Sequence, residues 1–192
     1  VFAIHQIISA LTKPGDSVLI QRPVYYPFSS AVTKLGRNLV NNPLVNKDGH
    51  YEIDFEDFEK KISDNRVKLF ILSNPHNPVG RVWTREELLK LSEILVRHGV
   101  YVISDEIHED FIYEGHRHTV FSTLSPEIAD LTITCTAPSK TFNLAGLQIS
   151  NLVITNDDLR RRYKETVKQS GYSQPNLMGI LACRAAYESG SP

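Results

Sequence analysis

Two hydrophobic periods alternate along the chain. Short, nearly continuous apolar runs predict strands at "SVLIQ" (17–21), "VKLFILSN" (67–74), "VYVISDE" (100–106), "LTITCTA" (131–137) and "SNLVIT" (150–155), with a weaker one at "RNLVNNPLV" (37–45). Between them, apolar residues return every three or four positions. Val1, Ile4, Ile8 and Leu11 open the chain in that rhythm, and "YYPFSSAVTKLG" reads as a short helix ending at Gly36. "DFEDFEKKIS" carries acidic residues in its first turn, where the helix dipole favours them. "TREELLKLSEILVRHG" is the clearest helix. Thr84 and Glu87 form a capping box, Leu88, Leu91 and Leu95 share a face, and Gly99 supplies the stop. "NDDLRRRYKETVKQS" and "PNLMGILACRAAYES" predict two final helices.

Strand–helix–strand alternation predicts an α/β fold: three αβα layers around a mostly parallel central sheet. Strands as continuously apolar as "KLFILS" suit a sheet covered on both faces. No repeat, low-complexity tract or linker divides residues 1–192, so one domain is expected. The first helix lacks a cap or preceding turn, and "YESGSP" stops just past a helical pattern. Both ends predict an internal piece of a longer chain.

Composition narrows the function classes. The net charge of −1 gives no global electrostatic case for nucleic acid or anionic membrane. No run approaches the ~20 apolar residues of a membrane span. "RRRYK" (160–164) follows "NDD" on a helix and reads as a solvated, charge-balanced face. The start lacks a basic leader and an A-x-A-like site, and Cys135 and Cys183 form neither a disulfide framework nor a zinc pattern; a reducing, cytoplasmic setting is expected.

The chemistry-bearing residues collect where strands end. "SVLIQ" runs into "RPVYYPF", "VKLFILS" into "NPHNPVG", "VYVIS" into "DEIHED" and "LTITCTA" into "PSK". Open α/β sheets bind ligands at the carboxyl ends of their strands. Four exits from one sheet can converge on one crevice, which would gather Tyr25 or Tyr26, Asn77, Asp105 with His108, and Ser139 with Lys140. Such a set suits electron-sink catalysis on an amino acid. A lysine amine can form a Schiff base with an aldehyde cofactor. An acid such as Asp105 can keep a pyridine nitrogen protonated. Asn77 and His108 can donate to a phenolate oxygen, Tyr25 can stack on a flat ring, and Ser139 can donate to a phosphate.

"SNPHNPVGRVWTREEL", "SDEIHEDF" and "APSKTFNLAGLQISN" together resemble fold-type I enzymes dependent on pyridoxal 5'-phosphate, of the class I/II aminotransferase superfamily. The spelling is most similar to the cystathionine β-lyase (C–S lyase) branch. The resemblance covers nearly the whole chain and implies the large cofactor-binding domain. The N-terminal segment and the small C-terminal domain, with its substrate-carboxylate arginine, lie outside it. It implies that Lys140 is the Schiff-base lysine and Asp105 the partner of the ring nitrogen. Asn77 then faces the phenolate oxygen and Tyr25 stacks on the ring. It also implies a homodimer acting on an amino-acid substrate.

Three positions depart from the family pattern. His108 stands where many members have tyrosine. Gln148 and Ala137 stand where many have a phosphate-gripping arginine and a hydroxyl, which places more of that task on Ser139 and on groups outside the chain. The spelling favours C–S cleavage of cystathionine or other cysteine S-conjugates. Residue chemistry alone leaves β-elimination, transamination and a cofactor-holding module without turnover open. "DEIHEDFIYEGHRH" offers His108, Glu109, Asp110, His116 and His118 as metal-ligand types, but without H-E-x-x-H or paired-cysteine spacing no metal is expected. "NPVG" lacks the spacing of a phosphate loop.

Overall fold

The structure, a computed structural model, describes residues 1–172 and 174–190. Helix α1 (Phe2–Leu11) leads into β1 (Ser17–Ile20), α2 (Pro27–Lys34) and β2 (Asn38–Asn41). A small hairpin follows, β3 (Val45–Lys47) and β4 (His50–Glu52), then α3 (Phe55–Asn65) and β5 (Val67–Ser73). Next come α4 (Arg85–His98), β6 (Tyr101–Asp105), α5 (Pro126–Leu131), β7 (Thr132–Thr136), β8 (Asn151–Val153), α6 (Asp157–Gln169) and α7 (Leu177–Ser189). Six strands form the central sheet in the order β2-β1-β5-β6-β7-β8. All neighbours are parallel except β8, which runs antiparallel on the edge.

The side chains of β5 show how the sheet builds two cores. Leu69 and Ile71 point to one face, against Ile4, Ile7 and Ile8 of α1 and Phe28 of α2. Phe70 and Leu72 point to the other, against Phe58 of α3 and Leu88, Leu91 and Leu95 of α4. Successive residues of a strand face opposite sides, so only a continuously apolar strand can feed both layers. The chain is therefore the three-layer αβα architecture the alternation predicts. Among the described residues, no helix is long and apolar enough to cross a membrane.

Local signals act as read in α4. Thr84 Oγ1 accepts from the Glu87 amide at 3.2 Å, and the Glu87 carboxylate accepts from the Thr84 amide at 2.8 Å. Gly99 closes the helix with a left-handed φ of 63°, a conformation glycine adopts without a Cβ clash. Two elements escape the hydrophobic period. The β3–β4 hairpin turns at Asp48-Gly49, and α5 begins at Ser125, whose hydroxyl accepts from the Ile128 amide, with Pro126 in its first turn. The "RRRYK" stretch also differs in part from a solvated face. Arg160 pairs with Asp157, and Arg161 with Asp158 and Glu165. Arg162 lies 4.0 Å from Asp158 but also donates to the Ala10 carbonyl at 3.0 Å and lies 5.5 Å from the centre of the Tyr101 ring, fastening α6 to α1 and the sheet.

Candidate active site

Strands β1, β5, β6 and β7 are adjacent and parallel, so their carboxyl ends share one edge of the sheet. The chain leaves β1 for β2 on one side and later places β5 on the other. Strand order thus reverses between β1 and β5, the kind of switch point where α/β folds open a crevice. Asp105 is the last residue of β6, and Tyr25, Asn77, His108, Ser139 and Lys140 lie on the loops that leave the strands at this edge.

Tyr25 and Asn77 flank the reversal. The Tyr25 amide donates to the Asn77 carbonyl at 3.0 Å, joining the β1 exit to the β5 exit. The Asn77 amide in turn donates to Ser73 Oγ at 3.1 Å, which ties the loop to the last residue of β5. The Asn77 side chain has no hydrogen-bond partner among the described residues. Tyr25 is 37% exposed and Tyr26 79%, and only Tyr25 packs edge-on against the buried Phe28, with ring centres 5.7 Å apart. Of the two tyrosines, Tyr25 is the one held by the fold.

Asp105 ends β6, in register with Ser73 on one side and Cys135 on the other. Its carbonyl accepts from the Asn74 amide at 3.0 Å. Its carboxylate has one long protein contact, the Ile107 amide at 3.4 Å, and no cation pairs with it among the described residues. Burial pushes its pKa up from 3.8 to about 6. Burial also pushes up the thiol of its register partner Cys135, with the Asp105 charge adding to the effect.

Lys140 and Ser139 follow β7 on the neighbouring exit. Lys140 is exposed, and no carboxylate pairs with it among the described residues. The next residue, Thr141, donates from Oγ1 to Asp110 Oδ2 at 2.6 Å, so the lysine loop is tied to the loop that carries His108. His108 is half-buried, and burial and the nearby Lys140 charge both hold its pKa below the usual imidazole value, which favours the neutral ring. Ser139 is half-buried and makes no side-chain hydrogen bond among the described residues.

Sequence reasoning left Glu106 and His118 without a role. Glu106 is fully buried beneath the edge. One carboxylate oxygen accepts from Ser104 Oγ at 2.7 Å and from the Phe121 amide at 3.1 Å; the other pairs with His118 Nε2 at 2.7 Å. Glu109 joins Glu106 and His118, with ligand-type atoms within 4.8 Å of one another. Glu106 already spends its oxygens on protein donors, so the cluster braces the β6 exit from inside. The loop position of His118, twelve residues from its partner, gave no local signal of this pairing.

The geometry meets a specific chemical demand. A buried carboxylate with no cationic partner is costly unless a protonated group faces it. A free amine stands on the adjacent strand exit, with an aromatic face and a side-chain amide on the next two. A protonated pyridine bearing an aldehyde fits this donor set.

The model of the family "Aminotransferase class I and II" matches residues 2–188. The cystathionine β-lyase PatB of Bacillus subtilis is 50% identical over 192 residues, covering 100% of this chain and 50% of that protein. The crystal structure of cystalysin from Treponema denticola, which contains pyridoxal 5'-phosphate, superposes with a TM-score of 0.94 at 42% identity, over 97% of this chain and 48% of that one. The pyridoxal-phosphate-bound C–S lyase of Staphylococcus hominis in complex with L-cycloserine superposes with a TM-score of 0.90 at 40% identity, over 98% of this chain and 46% of that one. The chain spans about half the length of the curated relatives it matches. A family match across almost every residue, on a sheet that brings the lysine and the aspartate to one edge, places this chain in the class I and II aminotransferase family.

Proposed function

We propose that this chain is the large cofactor-binding part of a pyridoxal 5'-phosphate-dependent C–S β-lyase. Such an enzyme cleaves cystathionine or other cysteine S-conjugates to a thiol, pyruvate and ammonia. The observation that carries the reading is the pair on β6 and β7: a half-buried, desolvated carboxylate and an exposed amine on the next strand exit, neither of which has an ion-pair partner among the described residues. The names of two similar proteins, the cystathionine β-lyase PatB and the C–S lyase of Staphylococcus hominis, support the lyase branch.

When bound, the cofactor supplies an electron sink for the charge left on the substrate α-carbon. Lys140 Nζ would hold its aldehyde, and the same amine would accept the α-proton of the substrate. Asp105 would keep a ring nitrogen protonated, and that pairing would offset the desolvation the carboxylate otherwise carries. His108, which its surroundings favour as the neutral ring, and the Asn77 side-chain amide would serve the phenolate oxygen. Tyr25 would offer an aromatic face to the ring, and Ser139 would donate to the phosphate. The substrate is an amino acid. Exposed Leu177, Met178 and Leu181 on α7 support an association surface, and we assign the active form as a cytoplasmic homodimer.

The test is a product assay on the intact protein. Cystathionine without any keto-acid acceptor should yield homocysteine and pyruvate, and Lys140→Ala should abolish both. Turnover only when a keto acid is added would instead make it an aminotransferase, the second activity the family name supports. Cofactor retained with neither product would make it a binding module.

A further inference from the structure

The loop "NPHNP" contributes more than Asn77. His76, the residue before it, is 2% exposed and lies beneath the crevice at the switch point between β1 and β5. Its Nε2 sits 2.9 Å from the carbonyl of Pro23, two residues before Tyr25. A carbonyl oxygen only accepts, so Nε2 carries the proton and donates. Nδ1 is then the bare nitrogen of a neutral ring; it is buried and has no hydrogen-bond partner among the described residues. Burial holds the ring neutral, with a pKa lowered to about 4.

The imidazole is itself rigidly mounted. It stands edge-on to the fully buried Trp83, with ring centres 5.4 Å apart. The Trp83 indole donates to the Ser73 carbonyl at 3.0 Å, which fixes it to the end of β5. The His76 amide donates to the Arg81 carbonyl at 2.8 Å, closing the loop. Arg81 is held in turn by both oxygens of Glu87, at 2.7 and 2.6 Å, and its guanidinium lies 4.7 Å from the Trp83 ring centre. The β5 exit is thus a braced frame, whereas the β1 exit is an exposed "RPVYY" strap crossing its end. Among the described residues, two hydrogen bonds join strap to frame: His76 to Pro23, and the Tyr25 amide to the Asn77 carbonyl.

We propose that His76 is a positioning residue that clips the β1 exit to the β5 exit and so sets Tyr25 relative to Asn77. The role of those two residues as ring contacts rests on the proposed function; the clip does not. Losing the His76 donor frees Pro23, and the Tyr25–Asn77 hydrogen bond then opens more often. A leucine at position 76 keeps the apolar packing on Trp83 and removes the donor. A glutamine keeps an N–H donor on a side chain of similar reach.

The experiment is backbone hydrogen–deuterium exchange on the intact protein without cofactor, read on peptides covering 22–28 and 85–98. In His76→Leu, exchange at Tyr25 should accelerate about fivefold or more, the factor one net hydrogen bond is worth. The α4 peptide should keep its wild-type rate. His76→Gln should restore protection at Tyr25. A second readout uses added pyridoxal phosphate: its visible circular dichroism should weaken in His76→Leu and return in His76→Gln. Unchanged exchange at Tyr25 in the leucine variant overturns the clip. So does equal acceleration in both variants, or acceleration spread over α4, since packing alone would then account for the residue. If His76→Leu does not fold, the glutamine variant decides by itself: loss of Tyr25 protection in folded His76→Gln contradicts the proposal, and retention supports it. Lack of a cofactor signal with a normal exchange pattern would overturn the proposed function and leave the clip standing.

Discussion

Asp105→Asn should make the cofactor-free protein more stable at neutral pH, although it removes a residue assigned to the reaction. The carboxyl pKa is raised from 3.8 in the unfolded chain to about 6 in the fold, mainly by desolvation. A raised carboxyl pKa means that folding favours the protonated form. That stabilising contribution is complete below pH 3.8, and it is lost as pH rises through 6. The span from 3.8 to about 6 corresponds to about 3 kcal/mol against the folded state at pH 7.5. Asparagine escapes this penalty because it carries no charge. Its Oδ1 keeps the Ile107 amide as donor, but its own amide nitrogen must be buried at about 1 kcal/mol. The net gain is about 2 kcal/mol at pH 7.5, and it should vanish or turn slightly negative at pH 4. Urea unfolding of both proteins at the two pH values measures this directly. Pyridoxal phosphate should reverse the ranking at pH 7.5, because ligand that binds the wild-type fold more tightly stabilises it more. A gain independent of pH, or a loss at pH 7.5, would refute the idea that Asp105 is a desolvated carboxylate waiting for a cation.

Two further variants probe the supports of the site. Glu106→Gln turns one arm of a fully buried carboxylate into a donor facing donors from Ser104, Phe121 or His118, and should cost about 2–4 kcal/mol in urea unfolding; a cost below ~0.5 kcal/mol would contradict the bracing role. Thr141→Val removes the tie between the lysine loop and Asp110 at a modest stability cost of about 1 kcal/mol. Its main effect should be a rise of about fivefold in the dissociation constant for pyridoxal phosphate, measured by equilibrium dialysis, and an unchanged constant would show that the loop is positioned by other contacts.

The parts of the fold legible in the sequence are those fixed by neighbours in the chain. Thr84, Glu87 and Gly99 specify both ends of α4 within one turn each, and the structure uses all three as read. The apolar run of β5 announces a strand buried on both faces, because each face has its own core to fill. Helix α5 is hidden by the apolar run "LTITCTA" (131–137): Leu131 belongs to the helix, whose start lies further back, at Ser125 and Pro126. The direction of β8 depends on how the connection after Lys140 folds back, and no periodicity encodes that. The candidate site was legible as a set of strand exits, since parallel strands bring their ends to one edge whatever the order of pairing. Its supports were not. His76 with Pro23, and Glu106 with His118, are pairings across 53 and 12 residues that only the assembled sheet creates.

The central claim is that one small ring is shared by Lys140 and Asp105. A crystal structure of the intact protein grown with pyridoxal phosphate tests it most directly. Electron density should run continuously from Lys140 Nζ into the cofactor, with the Asp105 carboxylate in hydrogen-bond contact with the ring nitrogen. A cofactor joined to a different lysine, or a ring nitrogen that faces any group other than Asp105, would contradict it.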